Sequence, residues 1–366
     1  MTASTNPKKR LASLDAFRGF TIAAMIIVNT PGSWKHVFPP LLHSHWNGIT
    51  PTDLIFPFFL FIVGVSIVLA YSKKIVSQPR PILLKHLFKR AALLFIIGVI
   101  LNLIGSEFTA IRLPGVLQRI SITFLVGALL FIYTKRRTQF YIAGSLLLIY
   151  WALMKLVPVP EFGAGVLEPG KNLANYIDHL LIPFKMYEGS WDPEGILSTI
   201  PAIASTITGM FTGYIILSKE SDMQKLVLIF VSGFLMLISG VVLGWFFPIN
   251  KNLWTSSYVL YTSGLANLGL ATIYYFMDVK AYLQWGKTGV IFGTNAITAY
   301  IIHYLLMMPL SQINIGSASI QAHFMNLFAN MHVMPEIASL TWALLYTSLC
   351  FIPVWLLYQK KIFLKI

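Results

Sequence analysis

The chain has 366 residues, of which 56% are hydrophobic and only 11% charged, under half the charged share usual in a soluble domain. Apolar stretches as long as a bilayer-crossing helix recur from one end to the other, and the mean hydropathy is +0.72. An ordinary soluble enzyme is excluded, and the formal charge of +14, which in a soluble chain would suggest nucleic acid, has to be sorted by side of the membrane first.

In chain order, spans are expected near 14–31, 53–71, 91–105, 115–133, 139–157, 195–217, 225–247, 257–277, 288–309 and 337–358. The fold class is therefore all-α, a polytopic membrane protein of about ten transmembrane helices with both termini on one side. The KKR run at 8–10 followed by apolar residues imitates a signal peptide, but Asp15 and Arg18 interrupt that run and no small-residue cleavage site closes it. It reads as a retained first span.

Of the 27 Lys and Arg residues, 20 fall in the two terminal parts and in the connections after Tyr71, Tyr133, Leu217 and Met277. By the positive-inside rule the termini are cytoplasmic, and anionic lipid accounts for the excess charge without any nucleic acid. The other face carries the longer connections at 32–52, 106–114, 158–194, 248–256 and 310–336, rich in Trp, Pro, Gly and His, and long structured loops on one side point to function on that side. Within them NLANYIDHLLIPF has the spacing of a short interfacial helix. No repeat or linker divides the chain, so residues 1–366 are taken as one domain.

Polar side chains inside a bilayer are costly, which makes them informative. Asp15 and Arg18 lie on one face of the first helix, where a local ion pair and a functional role weigh equally. Asn29 ends the same helix about 16 Å further along its axis, where it could also be a simple cap before Pro31. HSHWNGITPTD brings His43, His45, Trp46, Asn47 and Asp53 to one membrane edge, with Thr50 or Thr52 able to cap the next helix. Interfacial anchoring explains the Trp and His on spacing alone. Gln118 and Arg119 follow Pro114 and Gly115 at a helix start, and Asp192 and Glu194 flank Pro193 at another, where capping suffices to explain them. Lys251, Asn252 and Trp254 sit in FPINKNLW, Asn295 in GTNAITAYIIH, and His303 in mid-span. The single cysteine, Cys350, permits no intrachain disulfide, and no Cys or His spacing suggests a metal. Nucleotide loops of the GxGxxG and Walker types and the GxSxG elbow are missing.

Together RLASLDAFRGFTIAAMIIVN, HSHWNGITPTDLIFPFFLFIVGVSI, IRLPGVLQRIS, NYIDHLL, WDPEGILSTIPAI, FPINKNLWTSSYV and NAITAYIIH resemble, in order, the heparan-α-glucosaminide N-acetyltransferase family and its bacterial relatives. The resemblance implies a membrane acetyltransferase that takes acetyl-CoA from the cytosolic side and acetylates the amino group of a glucosamine-type sugar on the other. It places the family's essential histidine on His43 and its helix-end asparagine on Asn29. Asp15, Arg18, Gln118, Arg119, Asn295 and His303 are then expected at the acetyl-CoA site. Trp46, Asn47, Asp53, Asp192, Glu194, Lys251, Asn252 and Trp254 are expected to face the acceptor. The animal enzyme's luminal N-terminal domain has no counterpart here, which suggests a bacterial inner-membrane member acting on an amino sugar or oligosaccharide, and a homodimer is what the resemblance implies. No metal is expected.

Amide formation from a thioester needs a free amine and stabilisation of an oxyanion. His43 as general base and the Asn29 amide as oxyanion donor meet those needs, while His43 as a nucleophile carrying the acetyl group is equally open on sequence. A solute transporter and an O-acetyltransferase acting on a polysaccharide hydroxyl are the competing functions.

Overall fold

Inside lipid a chain must satisfy its backbone hydrogen bonds within each crossing segment, and the helix does so locally. The computed structural model describes residues 11–106, 108–316 and 318–364. The basic run at 8–10 and Lys365 of the tail lie outside the described residues. Thirteen α-helices are described: α1 Ala12–Asn29, α2 Ile55–Ser77, α3 Arg80–Gly105, α4 Val116–Tyr133, α5 Arg136–Leu156, α6 Leu173–Leu181, α7 Thr199–Leu217, α8 Asp222–Gly244, α9 Ser256–Tyr274, α10 Lys287–Thr294, α11 Ala296–Gln312, α12 Ile320–Asn330 and α13 Pro335–Gln359. Two short antiparallel hairpins pair Pro158–Val159 with Gly163–Ala164 and Asn314–Ile315 with Ala318–Ser319.

Among the described residues eight helices, α1 to α5, α7, α8 and α13, are long and apolar enough to cross a membrane, and α10 with residues 296–307 of α11, bent by 81° at their junction, meets the same measure as a pair. The remaining expected span, 257–277, is helical as α9 but falls outside that set. Its buried positions include Ser256, Ser257, Thr262, Ser263 and Asn267, and this polar share lowers its hydropathy below that of the eight. Polar pairs lock it to α7: Thr208 Oγ1 lies 2.8 Å from Ser263 Oγ, and Thr212 Oγ1 donates to Asn267 Oδ1 at 2.7 Å.

Two further expectations change. The basic segment after Tyr71 is not a long connection: α2 continues to Ser77, α3 starts at Arg80, and Pro81 in its first turn suits a helix start. The segment 195–198 is not helical either. Because the Asp192 carboxylate takes the backbone N–H of Glu194, WDPEG folds as a loop and α7 begins only at Thr199.

Small residues set the closest helix approaches. A Cβ on Gly64 of α2 would stand 1.9 Å from the Thr206 carbonyl oxygen of α7, and one on Gly209 would stand 2.0 Å from the Phe61 oxygen. Likewise a Cβ on Gly19 of α1 would meet the Gly289 oxygen of α10 at 1.7 Å. Gly209→Ala is therefore expected to push α2 and α7 apart, costing about 1–3 kcal/mol. A lowered thermal unfolding midpoint in detergent checks this, and an unchanged midpoint would contradict the packing.

The long loops converge at one end of the bundle. Gly48 N donates to Ile249 O at 2.8 Å, Lys185 N to Ile111 O at 3.1 Å, and Trp46 Nε1 to Leu167 O at 2.8 Å. The first turn of α12 joins them, since Gln321 Nε2 donates to the carbonyl oxygens of Pro31 and Gly32 at 3.0 Å.

Candidate active site

The loop-rich end holds a chain of ionisable groups. Asp53 lies in the single helical turn Pro51–Leu54 that opens α2, and its carboxylate is buried. Oδ2 accepts from the backbone N–H of Thr50 at 3.0 Å and of Ser44 at 3.1 Å, which frees Oδ1 for His43 Nδ1 at 2.7 Å. The Tyr258 hydroxyl on α9 donates to the Asp53 carbonyl oxygen at 2.6 Å and anchors this turn from below. With Nδ1 assigned as the donor to Asp53, Nε2 of His43 keeps a lone pair, and the ring is half-exposed.

Lys251 completes the cluster. Its Nζ lies 3.0 Å from His43 Nε2, 3.1 Å from Nδ1 and 3.9 Å from Asp53 Oδ1. Burial pushes the Lys251 ammonium below its usual range, against the pull of Glu194 and Asp53. Its backbone is clamped on both sides: Ile249 O holds Gly48 N, and buried Asn250 donates through Nδ2 to Asn47 Oδ1 while its Oδ1 takes Leu253 N at 2.9 Å. Asn250 is a positioning residue that sequence reading missed. It stands one position before Lys251 in a motif whose other polar members drew the notice.

Beside this cluster stands a second one. Arg112 grips Asp192 through Nε and Nη2, both at 2.7 Å, and reaches Glu194 Oε2 at 2.5 Å. Burial opposes both charges, yet the pairing outweighs it, raising Arg112 and holding Asp192 below the usual carboxylate range. Trp46 packs edge-on against Trp191, ring centres 5.2 Å apart, which joins the two clusters. Arg112 and Trp191 were not among the expected site residues. Both belong to strings already singled out, but no spacing rule marks either.

Under the loop, α6 carries Asp178, whose Oδ1 accepts Ile196 N at 2.7 Å. Burial pushes this carboxyl up to about 7, against that hydrogen bond and the pull of Arg119. The folded protein then binds a proton here that the unfolded chain releases near the ordinary aspartate value of about 4. Stability from this group is accordingly lost as pH rises from about 4 to about 7 and is level above. Asp178→Asn keeps the acceptor and removes the charge. Its thermal midpoint is expected to fall less than that of the wild type between pH 5 and pH 8, and parallel curves would refute the assignment.

The remaining expected residues are placed at three depths. Asn29 is the last residue of α1, with Thr30 rather than Asn29 in the cap position, and its amide has no hydrogen-bond partner among the described residues. Trp254 is 1% exposed, sits at φ +53° and packs on Phe56 and Tyr258, so it forms the floor of the site, while Asn252 is half-buried beside Lys251. Arg119, also buried, has its guanidinium carbon 5.0 Å from the Trp254 ring centre and donates to Gly195 O and Ser198 Oγ. Its Nε and Nη1, like Gln118 Nε2, have no partner among the described residues. His303, buried between Tyr304 and Tyr346, likewise has an unpartnered Nδ1.

Asp15, Arg18 and Asn295 lie toward the other end. Arg18 bonds Asp15 at 3.2 Å, the Gly293 carbonyl oxygen of α10 at 3.2 Å and Ser66 of α2 at 2.9 Å, which turns it into the bundle and away from lipid. Asn295, at the bend between α10 and α11, donates to Ile362 O and accepts from Leu364 N, both at 3.0 Å. Its side chain therefore holds the chain's own tail. Among the described residues no group of three His, Cys, Asp or Glu is placed to hold a metal ion.

A bundle of membrane-length helices with a histidine, its buried carboxylate and an amine gathered at one end defines a polytopic membrane protein equipped for proton transfer at that end. Residues 10–239 match the family described as heparan-alpha-glucosaminide N-acetyltransferase, catalytic, and the chain belongs to that family. It is 31% identical to heparan-alpha-glucosaminide N-acetyltransferase of Mus musculus and 30% identical to that of Homo sapiens, each over 98% of this chain. The chain spans 60% of the length of these relatives.

Proposed function

We propose that the protein is a membrane acetyltransferase that moves an acetyl group from acetyl-CoA to the amino group of a glucosamine-type sugar. The observation that carries this reading is the 2.7 Å bond between His43 Nδ1 and buried Asp53, which fixes the imidazole with Nε2 available as a base. The match to a family named for N-acetylation of a glucosaminide supplies the reaction class. In this reading the loop-rich end faces the periplasm of a bacterial inner membrane, and both termini are cytoplasmic.

Acetyl-CoA supplies the acyl group as a thioester. His43 Nε2 accepts the proton of the incoming ammonium, and Asp53 stabilises the imidazolium that results. The unpartnered amide of Asn29 suits donation to the developing oxyanion. The N–H groups of Gln118, and of Arg119 beside Trp254, that lack a partner among the described residues fit a substrate rich in carbonyl and phosphate acceptors, and Arg18 at the far end adds a cation for the same substrate. Trp46 offers an aromatic face to a sugar ring, with Asp192 and Glu194 near its amine. The purified protein in detergent is expected to transfer labelled acetyl from acetyl-CoA to glucosamine. Absence of transfer, with acetyl-CoA nonetheless bound, would discard the acceptor; absence of binding would discard the function.

A further inference from the structure

Lys251 places a primary amine where an acceptor's amine has to stand. Its Nζ is 3.0 Å from His43 Nε2, within the reach at which a base takes an amine proton, and 3.9 Å from Asp53 Oδ1. The placement is built into the fold, because the Gly48–Ile249 and Asn47–Asn250 bonds fix the two residues before it, the Leu253–Asn250 bond spans it, and its side chain is only 16% exposed. Other lysines differ. Lys171 pairs with Glu168 at the surface, and Lys225 pairs with Asp222 on the first turn of α8.

We infer that Lys251 is a self-acetylation site: without a sugar acceptor its amine takes the acetyl group from acetyl-CoA, with His43 as the base. The inference rests on the acetyltransferase reading above. In the step, Lys251 Nζ attacks the thioester carbonyl carbon, a C–N bond forms and the C–S bond breaks. The amine's proton passes to His43 Nε2 and from there to the departing thiolate, leaving Nε-acetyl-Lys251 and free CoA thiol. The lowered basicity of the buried ammonium raises the share of free amine near neutral pH. Acetylation removes the cation that faces Asp53 and fills the space beside Nε2, so the modified protein is a poor catalyst for the next sugar. A sugar amine in place competes with Lys251 and protects it.

The test is peptide mapping of the purified full chain in detergent after timed incubation with acetyl-CoA, with and without glucosamine. Acetyl is expected to accumulate on Lys251 at a rate about 100-fold above that on Lys171 or Lys225, the lower range for general-base assistance. Glucosamine is expected to suppress it, and His43→Ala to bring Lys251 down to the rate of the surface lysines. Lys251→Arg is expected to take up no acetyl at that position, and its peptide map identifies any label arising elsewhere. The inference is overturned if a preparation that acetylates glucosamine leaves Lys251 unmodified, or modifies it equally fast in His43→Ala. Labelling of Lys251 that needs His43, with no acetylation of glucosamine, upholds the inference and discards only the acceptor. If neither is acetylated, this inference falls, and the acetyltransferase reading falls with it where acetyl-CoA does not bind either.

Discussion

Acetyl transfer to glucosamine is expected to fall by about 10²–10⁴-fold on replacing His43 with alanine, the range that a positioned general base supplies. Binding of acetyl-CoA should survive, since the ring lies at the loop-rich end and half of it is exposed. Asp53→Asn is expected to cost nearly as much without disturbing the loop. The asparagine oxygen can still accept from Thr50 N and Ser44 N, while its NH₂ now faces His43 Nδ1 as a donor. That inverts the tautomer: Nδ1 must accept, Nε2 carries the proton, and no lone pair faces the amine. Steady-state kinetics of both variants decide the point. A wild-type rate in Asp53→Asn would show that the carboxylate serves the fold alone, and a wild-type rate in His43→Ala would remove the base.

Asp192→Ala is expected to destabilise the protein by about 3–5 kcal/mol, the cost of leaving one partner of a buried ion pair alone. Its carboxylate closes two bonds with Arg112 and takes the backbone N–H of Tyr187 and Glu194, so its loss frees the loop ahead of α7. Glu194 alone cannot replace it, because a single 2.5 Å contact holds that residue to Arg112. Thermal unfolding in detergent measures the effect. Arg112→Ala combined with Asp192→Ala should cost less than the two single losses together, since removing both charges leaves neither unpaired. Strict additivity would mean that the two residues act separately.

The expected helices appear where apolar runs are long, and the departures have specific causes. The span at 257–277 forms as α9 with Ser, Thr and Asn turned toward α7 and α8. The segment at 288–309 breaks at Asn295, whose amide holds the tail backbone at Ile362 and Leu364. Neither outcome follows from hydropathy, because each depends on which neighbour a polar side chain meets. For Asp192 a helix-start role looks sufficient in sequence, yet its partner is Arg112, 80 residues earlier. Arg18 is similar: its neighbour Asp15 is visible in the spacing, but Ser66 and Gly293 are not.

Membership of the acetyltransferase family and the all-α membrane class were legible in residue order, because a crossing helix satisfies its own backbone and its motifs are runs of adjacent residues. The meeting of His43 with Lys251, 208 residues apart, was not. It depends on the bonds between the 43–48 and 249–254 loops, on Tyr258 of α9 beneath Asp53, and on glycines that let α2 and α7 come close. Local rules reach about one helical turn, whereas the position of an amine beside a base is a property of packed helices and paired loops, settled only when the whole bundle closes.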